Sequence, residues 1–249
     1  MWLILGLLVQ QPQHLSVYAA ASLSDAFNEM ADSLRRRDPE LRIEFNFAGS
    51  QVLVLQLGQG AVADVFASAD DRWMQIARDS GLIEGDPQTF AHNRLVVIVP
   101  RGNPARIGKL QDLARAGVKL VLAADAVPAG RYAREAIFRL GWSPGYPPDY
   151  PGRVLANVVS YEENVRSVAA KVQLGEADVG VVYASDVTPS VARQVRRFDL
   201  PGSANVVSSY PIAILRNAPH PAAAKAFIEF VLSSLGQAVL AKNGFLLAR

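Results

Sequence analysis

The chain has 249 residues, half of them apolar and 19% charged, a composition typical of one large or two moderate globular domains and unlike that of disordered or fibrous proteins. A formal net charge of +2, with no basic cluster longer than Arg35–Arg37, argues against nucleic acid as a partner. Because the sequence contains no cysteine, disulfides, thiolate catalysis and cysteine-bound zinc are excluded.

The N-terminal segment carries a short apolar stretch from Trp2 to Val9. A membrane-spanning helix needs about 20 apolar residues, so this stretch is too short to cross a bilayer. We interpret residues 1–14 as the remnant of an export signal peptide, although they lack the positive leading segment and the small-residue cleavage site of a complete signal. The alternative is a structural extension of the domain.

Apolar runs of strand length follow along the chain. In order they are "LSVYAAA", "RIEFNFA", "ADVFASA", "RLVVIVP", "KLVLAA", "RVLANVVS", "DVGVVYA" and "NVVSSYPIAIL". Segments with helical spacing of apolar residues lie between these runs. Nearly continuous hydrophobic strands that alternate with helices predict an α/β fold with a mainly parallel sheet covered by helices on both faces.

The spacing of apolar residues also predicts individual helices. The segment "QVLVLQL", residues 51–57, alternates like a strand, but we predict a helix because it follows a strand through "GS" and stops at "GQG". The segment "RYAREAIFRLG" ends with Gly141 in a position suited to a helix C-cap. The stretch "GWSPGYPPDYPG", residues 141–152, is predicted to be an ordered surface loop, and the C-terminal region is predicted to be mostly helical.

Motifs for catalysis and resident metals are weak. The three histidines, His14, His92 and His220, are scattered along the sequence, which argues against metal ligation. The segment "GNPARIGKL" resembles a phosphate-binding loop only superficially, since it has one residue too many and no hydroxyl after the lysine. Acidic residues near strand ends are expected to begin helices rather than to act as acids or bases. They are Asp25, Asp125, Glu162 and Glu163.

A different unit recurs: an apolar strand, a small or hydroxyl residue, and the start of a helix. It occurs around Ser22, Ser50, Ala129 and Val165, and the strand "VGVVYASD" ends in Tyr183. In an open α/β sheet, ligands bind at the carboxyl ends of strands, where all five positions fall.

A single serine before a helix is usually only a cap, and we expect Ser22 to be an N-cap with Asp25 completing a capping box. Several such turns together predict a site for an anion. Since no lysine or arginine stands at the turns around Ser22 and Ser50, the donors of that site are expected to be mostly neutral.

From about Leu15 to the C-terminus the sequence resembles the substrate-binding proteins of molybdate ABC transporters. The segments that carry the resemblance are "YAAASLSDAF", "FNFAGSQVLVLQLGQGAVADVFASAD", "AVPAGRYAREA", "ENVRSVAAKVQLGEADVGVVYASD" and "YPIAIL". The resemblance implies a two-lobed periplasmic-binding fold of type II, each lobe a mainly parallel sheet with flanking helices and the ligand in the cleft. It places lobe one at residues 15–92 plus 205–249 and lobe two at residues 93–204.

The resemblance also implies a function. The protein would bind molybdate, with tungstate as a second ligand, and deliver it to the membrane permease of an ABC transporter. It would be a monomer outside the cytoplasm, not integral to the membrane, with no catalytic residues, no nucleic-acid partner and no resident cofactor. Molybdenum would be present only within the bound oxyanion, without direct protein ligands.

Matched residue by residue, the resemblance assigns the oxyanion contacts to the five positions isolated above. Ser22, Ser50 and Tyr183 would donate hydroxyls, and Ala129 and Val165 would donate backbone N–H groups. The sequence departs from the family at Val62, where a proline is common, and at Gln51, where a second serine often follows. The loop before "VVSYEENVR" is also enriched in tyrosine and proline.

Three other functions stay open at the level of sequence. One is binding of another oxyanion, such as sulfate or thiosulfate, by the same fold. A second is the ligand-sensing half of a transcription regulator, although no DNA-binding helix-turn-helix precedes Leu15. The third is an enzyme, which would need an acid, a base or a nucleophile in the cleft.

Overall fold

A computed structural model describes residues 14–248. The strands are β1 His14–Ala20, β2 Arg42–Ala48, β3 Val65–Ala67, β4 Ile83–Pro100, β5 Leu120–Ala123, β6 Val158–Glu162, β7 Val179–Tyr183, β8 Val195–Asp199, β9 Val207–Leu215 and β10 Leu246–Leu247. The helices are α1 Ser24–Arg35, α2 Ser50–Gly58, α3 Asp71–Asp79, α4 Pro128–Gly141, α5 Tyr150–Ala156, α6 Val165–Gln173, α7 Pro189–Ala192, α8 Pro221–Leu232 and α9 Ser234–Lys242. The proposed signal-peptide remnant lies outside the described residues except for His14, which begins β1.

The strands form one sheet in the order β2-β1-β3-β9-β4-β7-β5-β6, with β8 and β10 pairing to β4 beside this path. The outer strands are parallel as predicted, since β1 pairs in parallel with β2 and β3, and β5 with β6 and β7. The pairings of β4 and β9 are antiparallel. This difference from the prediction arises because the chain leaves the first group of strands along β4 and returns along β9 in the opposite direction.

Strand β4 is shared by two groups of strands. Its first part, Ile83–Arg94, pairs with β9, and its second part, from Leu95, pairs with β7 and β8. The side chain of Asn205 binds β4 where it changes partner. It accepts the Leu95 N–H at 3.0 Å and donates to the Leu95 carbonyl at 2.9 Å. We call β1, β2, β3 and β9 the first strand group, and β5, β6, β7 and β8 the second. The lobe boundaries drawn from the sequence stay a prediction that this change of partner supports.

The central strands are buried on both faces, which explains their continuous apolar sequences. Every residue of β5 and β7 is buried. Helix α2 forms as predicted and buries Leu53, Val54 and Leu57. A helix forms despite the alternating pattern because Leu53, Val54 and Leu57, which are one, three and four positions apart, lie on the same helical face.

The structure corrects the prediction for residues 141–160. Tyr150–Ala156 is helix α5 rather than loop or strand, and of "RVLANVVS" only the last three residues, 158–160, belong to a strand, β6. Pro151 is compatible with helix because it stands in the first turn. Tyr150 is fully buried, and its hydroxyl donates to the Leu110 carbonyl at 2.7 Å. Gly141 is the last residue of α4, so its predicted role as the C-cap is wrong, and Trp142, which is 82% exposed, follows it.

Across residues 14–248, membrane-spanning length and hydropathy are reached only by α8 and α9 taken together, and these two helices meet at a 63° bend.

The start of α4 packs against the end of β5 with no room for a side chain at Gly130. A Cβ there would lie 2.1 Å from the Ala124 carbonyl oxygen and 2.3 Å from that of Ala123. We expect Gly130→Ala to lower the free energy of unfolding by about 1–3 kcal/mol, since the backbone must shift. Urea denaturation measures the change.

Gly58→Ala is the matched control. Gly58 is the last residue of α2, and a Cβ added there has no atom within 4 Å. Its unfolding free energy should stay equal or rise by about 0.5–1 kcal/mol. Equal stability of the two variants would contradict the close packing at Gly130.

Candidate functional site

The five residues singled out in the sequence line one cavity: Ser22, Ser50, Ala129, Val165 and Tyr183. They lie at the carboxyl ends of strands of both groups, where ligands bind in open α/β sheets. The cavity offers about 10 Å³ to the centre of a water-sized sphere. So small a cavity, as it stands, suits a small ion rather than an organic solute.

Ser22 does not have the predicted role of an N-cap. It lies in a 3-10 turn, Ala21–Leu23, and the N-cap of α1 is Leu23, which makes no side-chain capping bond. Asp25 completes no capping box and instead pairs with Arg166. The serine hydroxyl is therefore not used by the helix.

The Ser22 hydroxyl belongs to a buried chain of hydrogen bonds. Its Oγ lies 2.9 Å from the Tyr210 hydroxyl, which accepts from the Asn93 amide at 3.3 Å. The orientation of that amide is set by the Arg94 N–H, which donates to Asn93 Oδ1. Either hydroxyl can donate in the bond between Ser22 and Tyr210. Because the Asn93 amide already donates to the Tyr210 oxygen, we infer that Tyr210 donates its own proton to Ser22. The proton of Ser22 is then directed to the cavity.

Ser50 is arranged in the same way on the neighbouring strand end. It is the first residue of α2, behind the N-cap Gly49, and is 1% exposed. The Ala69 N–H donates to its Oγ at 3.0 Å. Because the oxygen already accepts a bond from the protein, the hydroxyl proton of Ser50 is available to a guest in the cavity.

Tyr183 supplies a buried hydroxyl at the end of β7. Its oxygen has no hydrogen-bond partner within residues 14–248. Burial raises the pKa of this phenol well above its ordinary value, so it is a donor at neutral pH. Leaving a buried donor unmatched costs about 1–3 kcal/mol, which an acceptor in the cavity would offset.

The remaining two positions present backbone N–H groups. Ala129 is the second residue of α4, and Val165 is the first residue of α6. N–H groups in a first helical turn have no intrahelical acceptor. At α6 the Asn164 side chain accepts the Ser167 N–H at 3.0 Å and the Ser167 hydroxyl at 3.3 Å, which leaves the Val165 N–H for the cavity. Both groups lie at the positive end of a helix dipole.

Four contacts join the two strand groups around the cavity. They are Gln51 Nε2 to the Glu163 carbonyl at 2.8 Å, Trp73 Nε1 to the Ala126 carbonyl at 2.8 Å, Arg131 Nη2 to Asp70 Oδ2 at 2.9 Å, and the Arg166–Asp25 ion pair. No local pattern in the sequence indicates these contacts, since their partners are far apart in the chain. Gln51, a departure from the family pattern, therefore bridges the cleft.

Two arginines lie near the cavity although the sequence predicts mostly neutral donors. Both arginines form ion pairs with carboxylates of the protein. Arg166 follows Val165 and pairs with Asp25 and with Asp186, whose Oδ1 lies 3.2 Å from Arg166 Nε. Arg131 pairs with Asp70, which is fully buried. The lining of the cavity includes none of these charged side chains.

The carboxylates weighed as acids or bases are likewise engaged elsewhere. Asp125 lies 3.8 Å from Arg134, and Glu163 meets Gln51 through its carbonyl. Glu162 was expected to begin a helix, but it ends β6 and pairs with Lys171 at 2.7 Å. The four carboxylates Asp25, Asp125, Glu162 and Glu163 do not line the cavity.

The histidines are less scattered than the sequence indicates. The rings of His14 and His220 lie 5.7 Å apart, where β1 begins beside the start of α8. Each is paired with a carboxylate, His14 with Glu44 and His220 with Asp64. Within the described chain, no three or more side chains of the metal-binding types gather into a possible metal site.

Asp186, close to the cavity, has a buried carboxyl group whose charged form is disfavoured. Burial raises the pKa of its carboxyl from 3.8 to about 6, against the opposing effects of Arg166 and of the Tyr183 N–H, which donates to Oδ2 at 2.9 Å. A carboxyl with a raised folded pKa is most favourable to folding when protonated. Its contribution to stability is therefore lost as the pH rises from about 4 to about 7.

We expect Asp186→Asn to remove this loss, because the amide can still accept the Tyr183 N–H. The difference in unfolding free energy, variant minus parent, should rise by up to about 3 kcal/mol between about pH 4 and about pH 7. Urea denaturation across that range measures it. Asp199→Asn, on an exposed strand end, is the control, and pH profiles for Asp186→Asn that run parallel to those of the parent would refute the assignment.

Comparisons with known proteins agree with this geometry. Residues 15–246 match the family model described as bacterial extracellular solute-binding protein. The molybdate-binding protein ModA of Mycobacterium tuberculosis is 38% identical over 236 residues, which cover 95% of this chain and 85% of the relative.

Two solved structures show the same fold. The periplasmic molybdate-binding protein of Azotobacter vinelandii has a TM-score of 0.81 at 18% identity, covering 94% of this chain and 100% of that one. The sulfate-binding protein SubI of Mycobacterium tuberculosis has a TM-score of 0.83 at 16% identity, covering 95% and 87%. The prediction of a periplasmic-binding α/β fold is confirmed, as is that of a binding protein rather than an enzyme. The chain belongs to the family of bacterial extracellular solute-binding proteins.

Proposed function

We propose that the protein binds molybdate, with tungstate as a second ligand, between two lobes and delivers it to the membrane permease of an ABC transporter. One observation carries the proposal: five uncharged donors from both strand groups converge on one small cavity. The ModA protein of Mycobacterium tuberculosis, which is 38% identical over 95% of this chain, is a molybdate-binding protein and supports the proposal. We further propose that the protein acts as a monomer on the extracytoplasmic side of the membrane.

Neutral donors can hold a dianion that has lost its water. A hydrogen bond to a charged group contributes about 1.5–3 kcal/mol. A helix N-terminus adds about 0.3–1 kcal/mol. Five such contacts, reduced by the cost of ordering and closure, correspond to about −8 to −12 kcal/mol, or micromolar to nanomolar dissociation constants. The site needs no buried counterion.

The same groups explain rejection of phosphate. The five proposed contacts all donate, and the oxygens of Ser22 and Ser50 already accept bonds from Tyr210 and from the Ala69 N–H. The proton of hydrogen phosphate would find no acceptor at either serine, and the Tyr183 oxygen, which has no bond within the described residues, is the one acceptor left among the five contacts. Where that bond does not form, the unmatched proton costs about 1–3 kcal/mol. Molybdate, tungstate and sulfate carry no such proton at neutral pH, so size decides among them.

We expect Ser22→Ala, Ser50→Ala and Tyr183→Phe each to weaken molybdate binding by about tenfold or more, because each removes a hydrogen bond to a charged guest. Isothermal titration with molybdate, tungstate, sulfate, thiosulfate and phosphate measures the affinities. The melting temperature of the empty variants should stay within a few degrees of the parent.

Ser80→Ala, on the exposed end of α3, is the control and should bind as the parent does. Affinity for molybdate that is unaffected by all three cavity variants would place the ligand elsewhere. A preference for sulfate or thiosulfate over molybdate would replace the proposed ligand while keeping the site.

Because the donors come from both strand groups, we expect the ligand to favour a closed over an open arrangement of the lobes. Small-angle scattering with and without molybdate measures this change as a decrease in the radius of gyration. A radius that does not change on saturation would count against closure.

A further inference from the structure

Two arginines cross the cleft without lining the cavity. Arg166 of α6 pairs with Asp25 of α1, and Arg131 of α4 pairs with Asp70 at the start of α3. Both arginines belong to the second strand group's side of the cleft, and both acids to the first. The arginine side chains are 26% and 33% exposed, so these pairs are partly shielded from water.

Each arginine is carried by a helix that also presents a proposed donor. Arg166 directly follows Val165 at the start of α6, and Arg131 stands two residues after Ala129 at the start of α4. Each guanidinium is therefore carried by the same helical turn as a backbone N–H of the proposed site.

The acids are tied to the hydroxyl donors on the other side. Asp25 lies three residues after Ser22. Asp70 follows Ala69, whose N–H donates to Ser50. One ion pair thus links the segment of Ser22 to that of Val165. The other links the segment of Ser50 to that of Ala129.

Arg166 reaches a third donor through Asp186. Its Nε lies 3.2 Å from Asp186 Oδ1, and the other oxygen of that carboxylate accepts the Tyr183 N–H at 2.9 Å. This contact is an ion pair without hydrogen-bond geometry, whereas a nitrogen at the other end of the guanidinium pairs with Asp25. Opening of the cleft would separate Arg166 from Asp25 and leave it beside the buried Asp186.

We propose that Arg131 and Arg166 are positioning residues that close the cleft and bring the oxyanion donors of the two sides into register, without contacting the ligand. This inference rests on the proposed function. The arginines act on the equilibrium between the open and closed forms. Loss of an arginine lowers the population of the closed form, and the apparent affinity for the ligand falls in proportion. The dissociation rate of the ligand is the quantity most affected.

The test compares Arg166→Gln, Arg131→Gln and the two together with the parent, by titration and stopped-flow kinetics with molybdate. Each single variant should weaken binding about tenfold, mostly through faster dissociation, and the double variant should be weaker still. Melting temperatures measured without ligand separate a loss of closure from a loss of folding, because each glutamine leaves a buried carboxylate, Asp186 or Asp70, without its cation. Arg166→Lys and Arg131→Lys should recover part of the affinity, since they keep the charge.

Arg197→Gln is the matched control, because Arg197 pairs only with Asp199 on its own strand. It should bind as the parent does. A double-mutant cycle of Asp25→Asn and Arg166→Gln separates the pair from its surroundings: the combined loss should be smaller than the product of the two single losses.

Tight binding by the parent together with equal binding by both glutamine variants would overturn this inference and leave the proposed function standing. Fully multiplicative losses in the Asp25–Arg166 cycle would overturn the role of that ion pair. Failure of the parent itself to bind molybdate, tungstate or sulfate would overturn the proposed function, and this inference with it.

Discussion

A buried hydroxyl whose oxygen already accepts a bond from the protein can only donate to a guest, and this constraint governs the two serines of the site. Tyr210 donates to Ser22, and the Ala69 N–H donates to Ser50. The polarity of the cavity is therefore decided by groups behind it rather than by the serines alone. A hydroxyl without such support would be free to rotate and would serve acceptors and donors equally.

Much of the fold and the cavity could be predicted because the relevant signals are local. Strands that end in small or hydroxyl residues just before a helix identified Ser22 and Ser50, and the rule that ligands lie at strand ends brought the five positions together. The supporting groups could not be found in this way. Ser22 and Tyr210 are 188 residues apart in the chain, and Asp25 and Arg166 are 141 apart.

The local errors have a common cause. A serine followed by an acid at the third position is typical of a capping box, but the turn after β1 tightens into a 3-10 segment and frees both side chains. Likewise, proline and glycine around Tyr150 indicate a loop, yet burial of that aromatic ring favours a helix. In each case tertiary contacts outweighed a correct local preference.

The indole of Trp73 is placed where its intrinsic fluorescence depends on the separation of the two sides of the cleft. Its Nε1 bonds to the Ala126 carbonyl across the cleft, whereas Trp142 is already 82% exposed to solvent. Separation of the two sides would break the Trp73 bond and admit water to that ring. The wavelength of intrinsic fluorescence emission should then follow lobe movement in the unlabelled protein.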